Sequence, residues 1–162
     1  MRRPALGLAL AAVVATAGCV ENTAPGNDRE AELEAPAPAA PLAAAGAAIS
    51  GVATGLLKPQ IMTDADLGGV PDAARACRFR MTRVGFPTFL YPPGGAGDGV
   101  IKLNGKLVRL PGAAGEFAAD GVAVTLRELE DRPADGGLVP AEMVLRLPGA
   151  PHELGFRGFA EC

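Results

Sequence analysis

Residues able to do covalent or acid–base chemistry are few in this chain. His152 is its only histidine and Ser50 its only serine. A nucleophilic serine needs a base within hydrogen-bond reach. Ser50 lies in no Gly-x-Ser-x-Gly elbow, and His152 sits in the turn Pro148-Gly-Ala-Pro151-His. Asp64 and Asp66 are spaced like a pair of metal ligands, but no third acid or histidine accompanies them. Thr63-Asp-Ala-Asp66 instead matches a capping box, in which hydroxyl and carboxylate satisfy the free amides of a helix start. Glu128, Glu130 and Asp131 supply neighbouring carboxylates. Glycoside hydrolysis needs two acids facing each other across a substrate, whereas acids crowded in a polar loop are solvated. Gly94 to Gly99 (GGAGDG) is glycine-rich, but it joins two strands and so reads as a mobile hairpin loop, not a phosphate cradle. Neither Cys77 nor Cys162 has a histidine beside it to make a thiolate. These patterns predict no catalytic residue, no metal and no cofactor. The chain carries 15 basic and 18 acidic residues, a net charge of −3, and no basic stripe of the kind that tracks nucleic acid.

The elements that position these residues are organised around Gly99 to Leu110, GVIKLNGKLVRL. Two apolar-alternating runs flank Asn104-Gly105, the pair best suited to a two-residue turn with φ > 0 at both positions. Such a turn fixes the register, with Leu103 opposite Lys106, Ile101 opposite Val108 and Val100 opposite Arg109. Ile101, Leu103, Val108 and Leu110 then share one buried face, while Lys102 and Arg109 lie on a wet one. The same alternation runs through much of the chain from Cys77 onward. Cys77, Phe79 and Met81 alternate with Arg78, Arg80 and Thr82, and Thr88 to Tyr91 is a short apolar strand. Pro111 to Gly115 reads as a loop. Glu116 to Glu128 is a second hairpin turning at Asp120-Gly121, with Phe117, Ala119, Val122, Val124 and Leu126 on one face. Leu129 to Gly137 is a polar loop. Met143, Leu145 and Leu147, then Leu154, Phe156, Ala160 and Cys162, mark two more strands. About eight short strands at hairpin spacing predict an all-β fold, a small antiparallel β-barrel or sandwich. A disordered tether and a short helical turn precede it. Ile49, Val52, Leu56 and Leu57 have partial helical spacing, weakened by Gly51 and Gly55 and stopped by Pro59.

The N-terminus carries an address. Arg2 and Arg3 precede an apolar run from Ala5 to Ala15, too short for a membrane span and closed by small residues, as in a secretory signal. The ending Thr16-Ala17-Gly18-Cys19 resembles a bacterial lipobox. That resemblance implies cleavage before Cys19 and acylation of its thiol, hence a signal at 1–18 and a membrane anchor at Cys19. Removal of Arg2 and Arg3 leaves 13 basic against 18 acidic residues, or −5. By resemblance to sorted lipoproteins, the absence of Asp directly after Cys19 implies the outer membrane, with the domain facing the periplasm; an ordinary cleaved signal would leave a soluble periplasmic protein. Residues 19–48, rich in alanine and proline, read as the tether, and residues 49–162 as the β domain with its core at 77–162. With Cys19 lipidated, Cys77 and Cys162 remain. Both fall on the inward parity of the first and last strands, in an exported chain, which predicts a disulfide tying the sheet's start to its end. Two free buried thiols are the alternative.

A lipoprotein signal, a spacer and a β domain bounded by a first-strand and a terminal cysteine resemble the membrane-bound inhibitors of C-type lysozyme. The resemblance covers residues 77–162 and implies an eight-stranded antiparallel barrel with such a disulfide. Val100 to Leu110 and Gly112 to Arg127 fall where that family has its strands and inhibitory loop. Its Ser-Gly-x-x-Tyr type motif is here Ala114-Gly115-Glu116-Phe117, and Arg127 stands near its following lysine. The hydroxyl is missing, and Glu116 brings an acid toward a cleft that is itself acidic. The chain also resembles the uncharacterised exported lipoproteins of bacteria, which imply no activity. The sequence therefore leads us to expect a non-catalytic cell-envelope lipoprotein that binds a protein partner or serves a structural role. Inhibition of a C-type lysozyme or another peptidoglycan-cleaving enzyme through the Pro111 to Gly115 loop is the alternative. A barrel carrying a small apolar ligand is a third reading, against which the short domain argues. Glu116, Arg127, Tyr91 and Phe159 are the expected partner-binding residues, the two aromatics as apolar anchors.

Overall fold

The computed structural model describes residues 35–129 and 137–162. Cys19, Glu130 and Asp131 lie outside the described residues. The folded unit begins at Pro36.

Eight strands form one closed antiparallel barrel. They are β2 (Cys77–Arg80), β3 (Phe89–Tyr91), β4 (Gly97–Leu103), β5 (Lys106–Ala113), β6 (Glu116–Ala119), β7 (Val122–Glu128), β8 (Val139–Arg146) and β9 (Leu154–Glu161). Each pairs with the next in sequence, and β9 returns to pair with β2, with Phe79 opposite Ala160. The result is an up-and-down meander whose closure leaves no open edge. A ninth strand, β1 (Leu42–Ala43), runs parallel to β5 at Leu107 and Val108. Two short helices complete the unit, α1 (Ala45–Ile49) and α2 (Asp64–Gly68), with a 3₁₀ turn at Thr54–Leu56 between them.

Both hairpins adopt the expected register. Leu103 faces Lys106 and Ala119 faces Val122. Asn104 and Gly105 have φ of 48° and 68°, Asp120 and Gly121 of 48° and 80°, as the two-residue turn requires. Phe79, Phe89, Ile101, Leu103, Val108, Leu110, Phe117, Met143 and Leu145 fill the interior, each essentially inaccessible to water. Phe89 and Phe117 meet edge to face at 5.2 Å between ring centres, a favoured aromatic geometry. Two glycines make room for these rings. A Cβ on Gly99 would stand 2.4 Å from the Phe89 ring, and one on Gly112 would stand 2.0 Å from the Glu116 carbonyl oxygen.

Four sequence expectations are corrected. Residues 36–48 are not tether: β1 joins the sheet, and Ala45, Ala48 and Ile49 of α1 pack into the barrel core. Alanine-rich composition reads as unstructured because it offers no large apolar side chain, yet small side chains suit a plug seated against the end of a barrel. The turns below it satisfy its backbone. Asp120 accepts the Gly46 N–H, while Asn104 and Lys106 donate to the carbonyls of Ala48 and Ala47.

The second correction concerns Pro111 to Gly115, which is not a loop. β5 runs to Ala113, and only Ala114-Gly115 turn, with φ of 53° and 85°. On its side away from β4, β5 pairs with β1 at Leu107 and Val108 and with β6 at Gly112 and Ala113. Pro111, which has no N–H to give, falls in the gap between these pairings. Third, Gly97 to Gly99 belong to β4, so the glycine-rich loop ends at Ala96. Fourth, the outer face of the first hairpin is covered. Met62, Val70 and Ala73 pack on Leu90, Val100 and Leu107 as a second apolar core outside the barrel, and Lys102 is drawn beneath this cover to Asp66.

Candidate functional site

The covering segment is pinned by one carboxylate. Thr63 and Asp66 form the expected capping box, the hydroxyl accepting from the Asp66 amide and the carboxylate from the Thr63 amide. Asp66 is not solvated, however. It is fully buried and also accepts from the Ala40 amide at 2.7 Å and from Lys102 Nζ at 2.6 Å. Burial pushes its carboxyl up, but the Lys102 ammonium and the Ala40 and Thr63 donors outweigh that and hold it down at about 2. One side chain thus fastens the incoming arm, α2 and β4 together.

Beyond this clasp, the segment from Val70 to Ala76 overhangs β3 to β5 and leaves a groove of about 440 Å³. Leu90 and Val100 form its floor, and Val70, Pro71 and Ala76 its roof. Pro92 and Pro93 close one end beside Tyr91. Arg75, Arg109, Asp72 and Asp98 stand at the rim, all exposed. Arg75 and Asp72 approach only to 3.8 Å with both side chains in water, an ion pair that contributes little. The groove offers an apolar bed edged by guanidinium and carboxylate groups. Its lining carries the Tyr91 phenol but no serine, threonine, cysteine or histidine, and an apolar bed with charged edges has the make-up of a binding surface. Among the described residues no group of three metal-ligating side chains occurs.

The residues expected to bind a partner are not brought together. Tyr91 is a wall of the groove rather than a surface anchor. Its ring stacks near Phe89 at 6.0 Å and tilts against Phe117 at 6.5 Å. Burial first, and the Glu128 carboxylate second, push its phenol up to about 12. Glu116 and Arg127 lie on the outer face of β6 and β7, where Glu116 borders a separate hollow of about 360 Å³ with Thr125 and Arg146. Arg127 is paired with Glu142 of β8. Phe159 lies on the outer face of β9, with the Arg83 guanidinium 4.9 Å above its ring. Cys77 opens β2 and is buried as expected, but Cys162 directly follows β9 and is exposed, not on an inward face. Their Cα atoms are 4.1 Å apart and their sulfurs at 2.08 Å, and the Tyr91 hydroxyl is 3.9 Å from Cys162 Sγ.

Sequence reasoning missed Arg75, Arg109 and Asp98 as neighbours, and Asp66 with Lys102 as a buried pair. A signal existed in Leu67, Val70, Ala73 and Ala76, apolar at every third position. Gly68-Gly69 and Pro71 interrupt that period and hide it as a helical one.

No curated protein and no solved structure matches this chain. A family model described as a domain of unknown function matches residues 15–162. That span takes in Cys19, the arm, the covering segment and the whole barrel, and the chain therefore belongs to the DUF6692 family.

Proposed function

We propose that this protein is a non-catalytic, lipid-anchored cell-envelope lipoprotein whose barrel presents an external partner-binding groove. The observation that carries the reading is a contrast within the fold. The barrel interior is filled by side chains, with Phe79, Phe89 and Phe117 all buried, so it offers no room for a carried ligand. The groove under Val70 to Ala76 is apolar below and charged at the rim, the make-up of a binding surface. Export to an oxidising compartment fits the pairing of Cys77 with Cys162, and acylation at Cys19 would hold the domain at the outer membrane, facing the periplasm.

The anchor is tested by the intact mass of the protein recovered from membranes. The reading expects a chain beginning at Cys19 with two or three acyl groups, and release of the protein from the membrane in Cys19→Ala. An unacylated wild-type chain in the soluble fraction would sink it. Inhibition of a C-type lysozyme finds no support in the geometry of residues 111–115, where a strand and a two-residue turn replace a protruding loop. Titration calorimetry against that enzyme tests it directly, and submicromolar binding with loss of lysis would restore it.

A further inference from the structure

The exposed large apolar side chains are distributed unevenly. Five of the six among the described residues, Leu42, Leu56, Ile61, Val84 and Phe86, lie at or near the end of the barrel where β2, β4, β6 and β8 finish. Leu129 alone lies at the other end. The loop joining β2 to β3, Met81-Thr-Arg-Val-Gly-Phe-Pro87, puts Val84 and Phe86 into water, Val84 at 79 % exposure. Ile61 is beside it, because the next amide, Met62, donates to the Pro87 carbonyl at 2.9 Å. Leu56, at 81 % exposure, stands on the same segment. Large apolar side chains grouped on one exposed surface mark an interaction site, whereas single scattered ones do not.

The charges nearest Val84 and Phe86 along the chain are cationic. Residues 49–63 hold Lys58 and no acid, and residues 73–97 hold Arg75, Arg78, Arg80 and Arg83 and no acid, in a chain with 18 acidic residues against 15 basic. The nearest acid in sequence is Asp64, at the start of α2. Asp120 belongs to the β6–β7 turn, across the ring of strands from this loop, and bonds the Gly46 amide. Glu153 is held by Arg146 at 2.6 Å. Arg75 and Arg80 meet Asp72 and Glu161, which leaves Lys58 and Arg83 as the cations beside the tips without a carboxylate partner among the described residues. Apolar tips beside such cations match an anionic lipid interface, in which hydrocarbon takes the tips and phosphates take the cations.

We propose that this end of the barrel docks on an anionic phospholipid surface, with Val84, Phe86 and Ile61 entering the interface and Arg83 and Lys58 meeting headgroup phosphates. The inference goes beyond the anchor by assigning an orientation, and it rests on the envelope reading for its setting. Residues 20–35 separate Cys19 from the folded unit and span at most about 55 Å, so an anchored domain stays within reach of the leaflet. Docked this way, the domain would turn its opposite end, which carries Tyr91 and the Cys77–Cys162 pair, away from the bilayer.

The chain contains no tryptophan, so Phe86→Trp and Leu129→Trp each introduce a single indole, one at either end. The processed chain, from Cys19 with Cys77 and Cys162 oxidised, is coupled through the Cys19 thiol to maleimide lipid. The vesicles hold phosphatidylethanolamine and phosphatidylglycerol at about three to one. Coupling holds the domain at the bilayer whether or not cells acylate it, so this test and the intact-mass test fail independently. The proposal expects the emission of Phe86→Trp to move to shorter wavelength and to be quenched by brominated lipid, with Leu129→Trp unchanged. Adding Arg83→Glu should weaken partitioning of the uncoupled chain by about tenfold or more. An unshifted, unquenched Phe86→Trp overturns the proposal, as does equal quenching at both ends. A shift that grows with protein concentration and needs no vesicles also overturns it, and shows a second copy covering the tips.

Discussion

On the outer wall of β3 to β5, Lys102 reaches Asp66 beneath a covering segment; on the outer wall of β7 to β9, Arg127 reaches Glu142 and Arg146 reaches Glu153 in water. Both walls are outer sides of antiparallel strands, but only the first presents a group of large apolar side chains, Leu90, Val100 and Leu107. They differ because residues 62–76 carry enough apolar surface to cover one of them. Beneath that cover Val100 and Leu107 become core, and a lysine on the solvent parity becomes half of a buried pair. A salt bridge in water contributes little, whereas a buried one that loses a partner leaves a charge stranded. The groove lies where the cover overhangs its wall, and the bare wall offers a smaller hollow beside Glu116.

The largest expected effect comes from Asp66→Ala. It strands Lys102 and frees the Ala40 and Thr63 amides, and we expect a loss of about 3–5 kcal/mol in urea unfolding. A loss no greater than that of Arg127→Ala would make the two walls energetically equal and break the comparison. Next, Leu107→Ala, outside the barrel, should destabilise as much as Leu110→Ala, inside it, each by about 2–5 kcal/mol. Both leucines are essentially inaccessible, and a cost below about 1 kcal/mol at Leu107 would mean a loose cover.

Acid sharpens the same contrast. The Asp66 carboxyl is held at about 2 against an ordinary 3.8, so the unfolded chain takes up its proton first. Its contribution is present above pH 3.8 and is lost as pH falls toward 2, on the order of 2 kcal/mol in all. Asp66→Asn should lack that part of the acid dependence in unfolding curves measured between pH 5 and pH 2. The smallest effect belongs to the bare wall. Arg127→Ala should cost less than about 1 kcal/mol, and less still at high salt.

Much of the barrel was legible in the sequence because turns and alternation are local. Asn104-Gly105 and Asp120-Gly121 set two registers without reference to the rest of the chain, and the inward faces of β7 and β8 follow the same logic. What was not legible depended on distant partners. Ala45 and Ala48 read as tether until the barrel end that needs small side chains is present. Lys102 is on the solvent parity of its strand, and only residues far along the chain make that side dry. Pro111 to Ala113 look like loop because proline and glycine break most strands, yet here Pro111 falls in the gap in pairing between β1 and β6, and Gly112 and Ala113 pair with β6. The groove was hidden for the same reason: Arg75 comes from the cover and Arg109 from the wall.

The claim that the covered wall is the working surface is tested most directly by paired photo-crosslinking in growing cells. A photoreactive residue is placed at Arg109, on the groove rim, and in a second strain at Thr125, on the bare wall; both positions are exposed. We expect discrete crosslinked species from position 109, lost when Arg75→Glu is added, and none from position 125. The same products from both positions, or products from position 125 alone, would contradict the account.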